Sequence, residues 1–200
     1  MARPVSPLLS PEKIASAAIE MVDAGHELKI QPLAKKLGVS LSSLYHHVDG
    51  REGIIQAMRE VLSRQYEFNP SIGEAWRDSL REGVNALWRL YSDHPRVMIH
   101  LLGVTIHESD TMRLYESLVE CLQKSGLPDS EVLTTLEVLD AFAFGAALDA
   151  LSPTTIFAPK DAGSPMSELL RQHPSGRERN ELLYKRGLDI IFAGIESRIG

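Results

Sequence analysis

Between Lys29 and Arg51 lie the side chains best suited to chemistry with a polyanion. Four cations, Lys29, Lys35, Lys36 and Arg51, stand against one acid, Asp49, a balance of +3 over 23 residues. Among them runs Leu41-Ser42-Ser43-Leu44-Tyr45-His46-His47, which joins short hydroxyl donors, a phenol and two imidazoles with no Lys, Glu or Asp. Short donors and planar rings reach phosphate oxygens and base edges without the repulsion a carboxylate would bring. A balance of this size is also common on solvated faces, so the inference rests on how the residues are held. The adjacent imidazoles of His46 and His47 are not read as a metal site, because neighbours on a helix point about 100° apart.

The elements that must hold them are marked by short signals. Ser10 can cap a first helix, Pro11 suits its first position, and Gly25 suits its stop. Ile14, Ala17, Ala18, Met21 and Val22 recur between them at helical spacing. A second helix is predicted from about Gln31, with Pro32 near its start, to Leu37, ended by Gly38. Ser40 caps a third, from Leu41 to about Val48. Asp49 and Glu52, at capping-box spacing, open a fourth with Ile54, Ile55, Met58, Val61 and Leu62 as its buried side. The second and third helices are separated only by Gly38-Val39 and the Ser40 cap, which forces a steep crossing, the helix-turn-helix arrangement. Leu33, Leu37, Val39, Leu44 and Val48 are its predicted core, and Ala34 is small where the two helices approach.

The run Leu33-Ala34-Lys35-Lys36-Leu37-Gly38-Val39-Ser40-Leu41-Ser42-Ser43-Leu44-Tyr45-His46-His47-Val48 resembles the DNA-binding signature of the tetracycline-repressor (TetR) family, most specifically in Leu-Tyr-x-His-Val followed by Arg51. The resemblance implies an all-α protein. A tri-helical, homeodomain-like helix-turn-helix domain would occupy residues 1–66, and a larger helical ligand-binding and dimerisation domain residues 67–200. It places the third helix in the major groove of double-stranded operator DNA. Leu41, Ser42, Ser43, Tyr45, His46 and His47 match recognition-helix positions, with Tyr45 and His47 mainly on phosphates. Arg51 matches a backbone-gripping basic residue and Gln31 a contact early in the second helix; Lys36 and Ser40 complete the predicted set. Where family members carry a capping Thr before the second helix, this chain has Lys29. Two other roles compete: Tyr45 as packing against the first helix, and Lys35 and Lys36 as plain solvated charges.

The rest of the chain has a different balance. Residues 1–66 hold 8 Lys/Arg and 7 Asp/Glu and residues 67–200 hold 13 and 20, so the overall −6 splits into +1 and −7. A locally basic segment on an acidic protein can meet a polyanion without binding it everywhere. From Gly73 the pattern is helical again. Leu80, Val84, Leu87, Leu90 and Tyr91 form one stripe with Trp76 and Trp88 beside it; Val97 to Val104 is a short apolar helix. Another helix starts at Asp110 or Thr111 with Leu114, Tyr115, Leu118, Val119 and Leu122, and a further one runs from Ser130 to about Leu151. The latter is rich in small residues (Ala143, Gly145, Ala146, Ala147, Ala150) beside Leu136 and Leu139, which suits close helix packing. The last helix, about Glu178 to Arg198, offers Leu182, Leu183, Leu188, Ile191, Ile195 and Ile199. The resemblance implies a homodimer through helices at about 130–151 and 178–198, which would space two recognition helices for a palindrome. Ser152 to Pro165, with three prolines and a glycine, reads as a long loop, and such loops tend to be functional or mobile.

Candidate effector-pocket residues are Trp88, Tyr91, His100, His107, Cys121, Asp140 and Phe144. Tetracycline repressors engage a drug-chelated magnesium through a His and a Thr of the short central helix. Here His100 and Thr105 differ from that spacing and Cys121 stands where a polar residue is expected, so tetracycline is not the expected ligand. Cys121 itself reads as a small buried hydrophobe.

Enzyme motifs are missing: there is no GxGxxG, GxxxxGK[ST], HExxH or GxSxG, and no cysteine pair. No catalytic residue, metal or cofactor is predicted. A single cysteine fits a reducing cytoplasm, the first residues lack the apolar centre of a signal peptide, and no apolar run nears the ~18–20 residues of a membrane span. With 44% hydrophobic and 24% charged residues the chain is an ordinary globular one, which excludes disorder and disulfide scaffolds. The leading expectation is a repressor released from its operator by a small molecule. The alternatives are a ligand-dependent activator and a small-molecule-binding helical protein with a vestigial helix-turn-helix. Against the last stand Tyr45, His47 and Arg51, groups that a degenerate domain would not keep together.

Overall fold

The structure is a computed structural model that describes residues 9–66 and 75–199. Residues 1–7, Gly73 and the division expected after residue 66 fall wholly or partly outside the described residues. Among the described residues every regular element is helical, as expected: α1 (Pro11–Asp23), α2 (Ile30–Leu37), α3 (Leu41–Tyr45), α4 (Gly50–Gln65), α5 (Trp76–Asp93), α6 (Pro95–Leu101), α7 (Ser109–Lys124), α8 (Asp129–Leu148), a 3-10 turn (Asp149–Leu151), α9 (Pro165–Leu170) and α10 (Gly176–Glu196). None of them is long and apolar enough to cross a membrane.

Two compact units divide the chain. One joins the described residues up to 66 with His94–Tyr115; the other joins residues 75–93 with 116–199. So α6 and the start of α7 pack with the N-terminal helices, a pairing the linear sequence does not announce.

In the first unit α1 lies along α4 and touches α2 and α6. Ile14, Ala18, Met21 and Val22 of α1 and Ile54, Ile55, Met58 and Leu62 of α4 are buried between them. Each of the larger side chains (Ile, Met, Val, Leu) taken from water is worth about 1.5–3 kcal/mol, which outweighs helix propensity in fixing the pair. Ser10 caps α1 as its sequence suggests, its Oγ accepting from the Lys13 amide at 3.3 Å.

Two expected details differ. The third helix stops at Tyr45, short of Val48. The spiral tightens there, the His47 amide bonding Leu44 O at 3.0 Å and the Val48 amide bonding the same carbonyl at 3.2 Å. This turns Val48 into the core, and Gly50 then reverses the chain with a left-handed φ of +60°. The Asp49–Glu52 capping box is also not formed. Asp49 has ψ 81°, not the extended value of about 160° that lets Ser10 reach an amide, and its carboxylate makes no cap hydrogen bond.

In the second unit α8 packs on α5 and α10. Leu80, Val84, Leu87 and Leu90 of α5 and Leu136, Leu139, Ala143 and Ala146 of α8 fill that core. At Gly187 of α10 an added Cβ would overlap the Phe142 ring of α8, so glycine is what lets the two helices approach. The small-residue stripe divides: Leu136, Leu139, Ala143, Ala146 and Ala147 are buried in the chain's own core, whereas Gly145 and Ala150 are exposed. The loop expected from Ser152 to Pro165 leads into an unpredicted helix, α9, capped by Ser164, whose Oγ accepts from the Ser167 amide at 3.2 Å.

Candidate nucleic-acid interface

The turn between α2 and α3 is built from local chemistry. Gly38 ends α2 in the left-handed conformation, φ +68°, which a side chain would oppose. The Val39 amide closes back on Ala34 O at 3.1 Å. Ser40, extended at ψ 155°, then starts α3, its Oγ accepting from the Ser43 amide at 3.1 Å. Lys29 begins α2 in extended backbone without a side-chain cap. Pro32 falls in the first turn, where its missing N–H costs no intrahelical bond. Leu33 and Leu44 are fully buried and hold the two helices together; Leu37 and Val39 are half-buried, at the edge of that core.

The outward residues come out on one continuous surface. Leu41 is 37% and Tyr45 52% exposed, and Ser42, His46 and His47 are exposed with them. Tyr45 therefore does not pack under the first helix. Ser43 is half-buried, and the Ser40 hydroxyl is engaged in its cap. Gln31 is exposed near the start of α2. Lys36 is exposed and ion-paired with Glu20 at 3.1 Å, so a phosphate would have to draw it away from that carboxylate. Arg51 is exposed at the start of α4, where its Nη2 lies 3.0 Å from Nδ1 of His100 on α6. Burial, and then the Arg51 charge, hold the His100 imidazole below its usual range, which favours the neutral ring, the form that can accept from Arg51.

Behind this surface lies a group that sequence reasoning missed. Arg59 of α4 is 5% exposed. Its Nη1 donates to both Glu108 carboxylate oxygens at 2.9 and 3.1 Å and to Thr105 O at 3.2 Å; its Nη2 donates to Leu101 O at 2.8 Å and Val104 O at 2.7 Å. One guanidinium thus bonds Leu101 O at the end of α6, which also accepts from the Val104 amide, and Val104 O and Thr105 O in the segment that follows. Ser63 and Thr111, one turn on, share a buried hydroxyl–hydroxyl bond of 2.6 Å. The signal was present in the sequence: Arg59 follows Ile55 by four residues and Met58 by one, inside the apolar register of α4.

The expected effector residues gather only in part. In the second unit Tyr91 donates from its hydroxyl to Asp140 Oδ1 at 2.6 Å and meets Phe144 edge-on at 5.7 Å, joining α5 to α8. Trp88, nearly one turn earlier, stacks on Tyr184 of α10 at 4.2 Å, and its buried Nε1 has no hydrogen-bond partner among the described residues. Cys121 is buried, and burial pushes its thiol upward, as suits a packing residue. His100 and His107 belong to the first unit: His100 faces Arg51, and His107 is exposed, its amide donating to Glu108 at 3.1 Å.

Residues 69–199 match the family model described as the tetracyclin repressor-like C-terminal domain. The chain belongs to the tetracycline-repressor family. Among the relatives of this TetR-family chain is the HTH-type transcriptional repressor DrrR1 of Streptomyces coeruleorubidus, 27% identical over 144 residues. That match takes 70% of this chain and 53% of DrrR1, about half of its length. The tetracycline repressor protein class D of Escherichia coli is 26% identical over 204 residues, 96% of this chain and 91% of the repressor. Among solved structures, apo ActR of Streptomyces coelicolor superposes with a TM-score of 0.77 at 22% identity, covering 96% of this chain and 98% of ActR. The fold of this TetR-family chain is thus one that ActR shares over 96% of its length.

Proposed function

We propose that the protein is a cytoplasmic, homodimeric repressor that binds a palindromic operator through α3 and leaves it when a small molecule occupies the core. The observation that carries the DNA reading is the outward surface of Leu41, Ser42, Tyr45, His46 and His47, exposed together and free of acids, with Arg51 beside it. Tyr45, His47 and Arg51 hold phosphates, Gln31 and Lys36 flank the groove, and Ser42, Ser43 and His46 face base edges. Leu41 sits where an apolar contact with a thymine methyl can form.

Dimerisation is supported by apolar side chains that one chain leaves uncovered on α8 and α10. Leu133 is 65% and Ile190 73% exposed, and Val138, Leu182 and Leu183 are exposed with them. A second copy laid across both helices would cover them and set two α3 helices about one DNA turn apart, roughly 34 Å. Effector binding is placed at Tyr91, Asp140 and Phe144, where a polar pair and an aromatic ring converge in an apolar core. Occupancy would bias the dimer between two arrangements, only one of them spaced for the operator.

The test is selection of bound sequences from a random DNA pool, followed by affinity measurement at two salt concentrations. The expected product is a palindrome. Replacing Tyr45 and His47 by Ala should weaken binding by at least about a hundredfold with the dimer intact, since two phosphate hydrogen bonds are lost in each protomer. Arg51→Gln removes one phosphate contact from each protomer and should lower the salt slope of the dimer by about two. Recovery of no common sequence, or unchanged affinity in the Ala variant, would refute the docking.

A further inference from the structure

The long segment after α8 carries no part of the DNA reading, yet it closes over a buried cation with open valences. Arg179, in the first turns of α10, is 8% exposed. Its Nη2 donates to Asp149 Oδ2 at 2.7 Å, and the same oxygen accepts from Asn180 Nδ2 at 3.1 Å. Arg179 Nε and Nη1 are buried and have no hydrogen-bond partner among the described residues. Unmade donors of a buried guanidinium are costly, and such groups in a folded protein usually have a partner.

Arg179 lines a cavity of about 110 Å³ together with Thr154, Thr155, Ser175 and the apolar Ile156 and Phe157. The space is several times what one water needs, roughly 10–30 Å³. The cavity also abuts the start of α10, a helix of 21 residues. The Gly176 amide is taken by Thr154 O at 3.1 Å, but the Ser175 side chain makes no cap hydrogen bond to the amides that follow. A helix start and an arginine fork with two free donors favour the same partner, a negatively charged group with more than one oxygen. Asp149 balances only one positive charge, so the helix end and the free donors remain for a second anion.

We propose that this cavity binds an oxyanion, a carboxylate or a phosphate group, on Arg179 Nε and Nη1 and the hydroxyls of Thr154, Thr155 and Ser175. The site is independent of the DNA reading: its residues come from the loop and α10, and none belongs to the proposed interface or to the Tyr91–Asp140 cluster.

The test follows the Arg179 side-chain N–H and the Arg177 and Glu178 amides by NMR in the full chain, titrated with inorganic phosphate at constant ionic strength. These signals should move saturably and together. In the double variant Arg179→Gln/Asp149→Asn, which leaves no unpaired buried charge, binding should weaken by about tenfold or more. Thr154→Val, which keeps Arg179 and Asp149 in place, should weaken it less. Parallel titrations with acetate and benzoate separate the sources. Benzoate about tenfold tighter than acetate assigns the site to the carboxylate of an organic molecule that also covers Ile156 and Phe157. Equal affinities assign it to a free ion. Absence of a saturable shift at Arg179 in the folded protein overturns the proposal, as do equal shifts in the double variant or an Arg179 signal already held by a second copy of the chain.

Discussion

Removing Arg59 should unfold the helix-turn-helix unit far more readily than its place on a surface helix suggests. Arg59→Met keeps the stem and deletes the guanidinium. The Glu108 carboxylate, with a side chain 7% exposed, is then buried without its ion-pair partner; the carbonyls of Val104 and Thr105 lose the Arg59 donor, and Leu101 O keeps only the Val104 amide at 3.3 Å. Orphaning one partner of a buried pair costs about 3–5 kcal/mol. An abandoned carbonyl costs about 1–3 kcal/mol more where water does not enter. These losses share one side chain and do not add, so a total near 4–5 kcal/mol is the reasoned value. It would be a large share of a stability of about 5–15 kcal/mol. With a urea dependence of about 2–3 kcal/mol per molar, the unfolding midpoint should fall by roughly 1.5–2.5 M. Protomer concentration must be held fixed, because any dimer adds its own concentration dependence. The double variant Arg59→Met/Glu108→Gln removes the orphaned charge and should recover about half of the loss. A single-variant loss under about 1 kcal/mol, or a double variant no better than the single, would refute the claim that this buried cation holds α4 to the end of α6.

Two other perturbations test separate parts of the fold. His100 is held below its ordinary range by burial and by Arg51, so the unfolded chain takes up the proton first as pH falls. Stability should therefore drop as pH is lowered below the ordinary histidine value of about 6.5, and His100→Gln should flatten that drop between pH 7.5 and 5.5, read from urea midpoints. Gly187→Ala forces Phe142 off its stack on Tyr184, whose centroids are 6.0 Å apart, and should cost about 1–3 kcal/mol. Once Phe142→Ala has removed the ring, adding Gly187→Ala should cost nearly nothing, and additive losses would show that the clash is not the cause.

What was legible in the sequence is what short-range chemistry decides. Ser10-Pro11, Gly38 and Ser40 each act on amides within four residues, so α1 and the α2–α3 turn can be read from their order alone. Asp49 and Glu52 had the right spacing and failed because ψ at Asp49 is set by the chain reversal at Gly50. The α9 cap was readable, since Ser164-Pro165 repeats the Ser-Pro start of α1, but proline and glycine around it argued for a loop. Pairs that join distant segments left no such trace. Tyr91 meets Asp140 across 49 positions, and Arg59 meets Glu108 across 49 more. Neither is visible until α5 is laid on α8, or α4 against α6.

The case of α8 shows how one helix can carry two apolar faces with different partners. Its small residues suggested a face prepared for another helix, and that is right for Leu136, Leu139, Ala143, Ala146 and Ala147, but the helix they meet belongs to the same chain. Past the first turn the residues left outward are Leu133, Thr134, Glu137, Val138, Ala141 and Gly145, apolar apart from Thr134 and Glu137. Two apolar faces on one helix leave little periodicity to read, because each fills the gaps of the other. A helix of this kind satisfies one face inside its chain and needs a second partner for the other. The proposed second copy would supply it. On that reasoning Leu133→Lys and Val138→Lys, which leave the α5 side untouched, should give a folded monomer that has lost operator affinity, whereas Leu139→Lys should not fold at all.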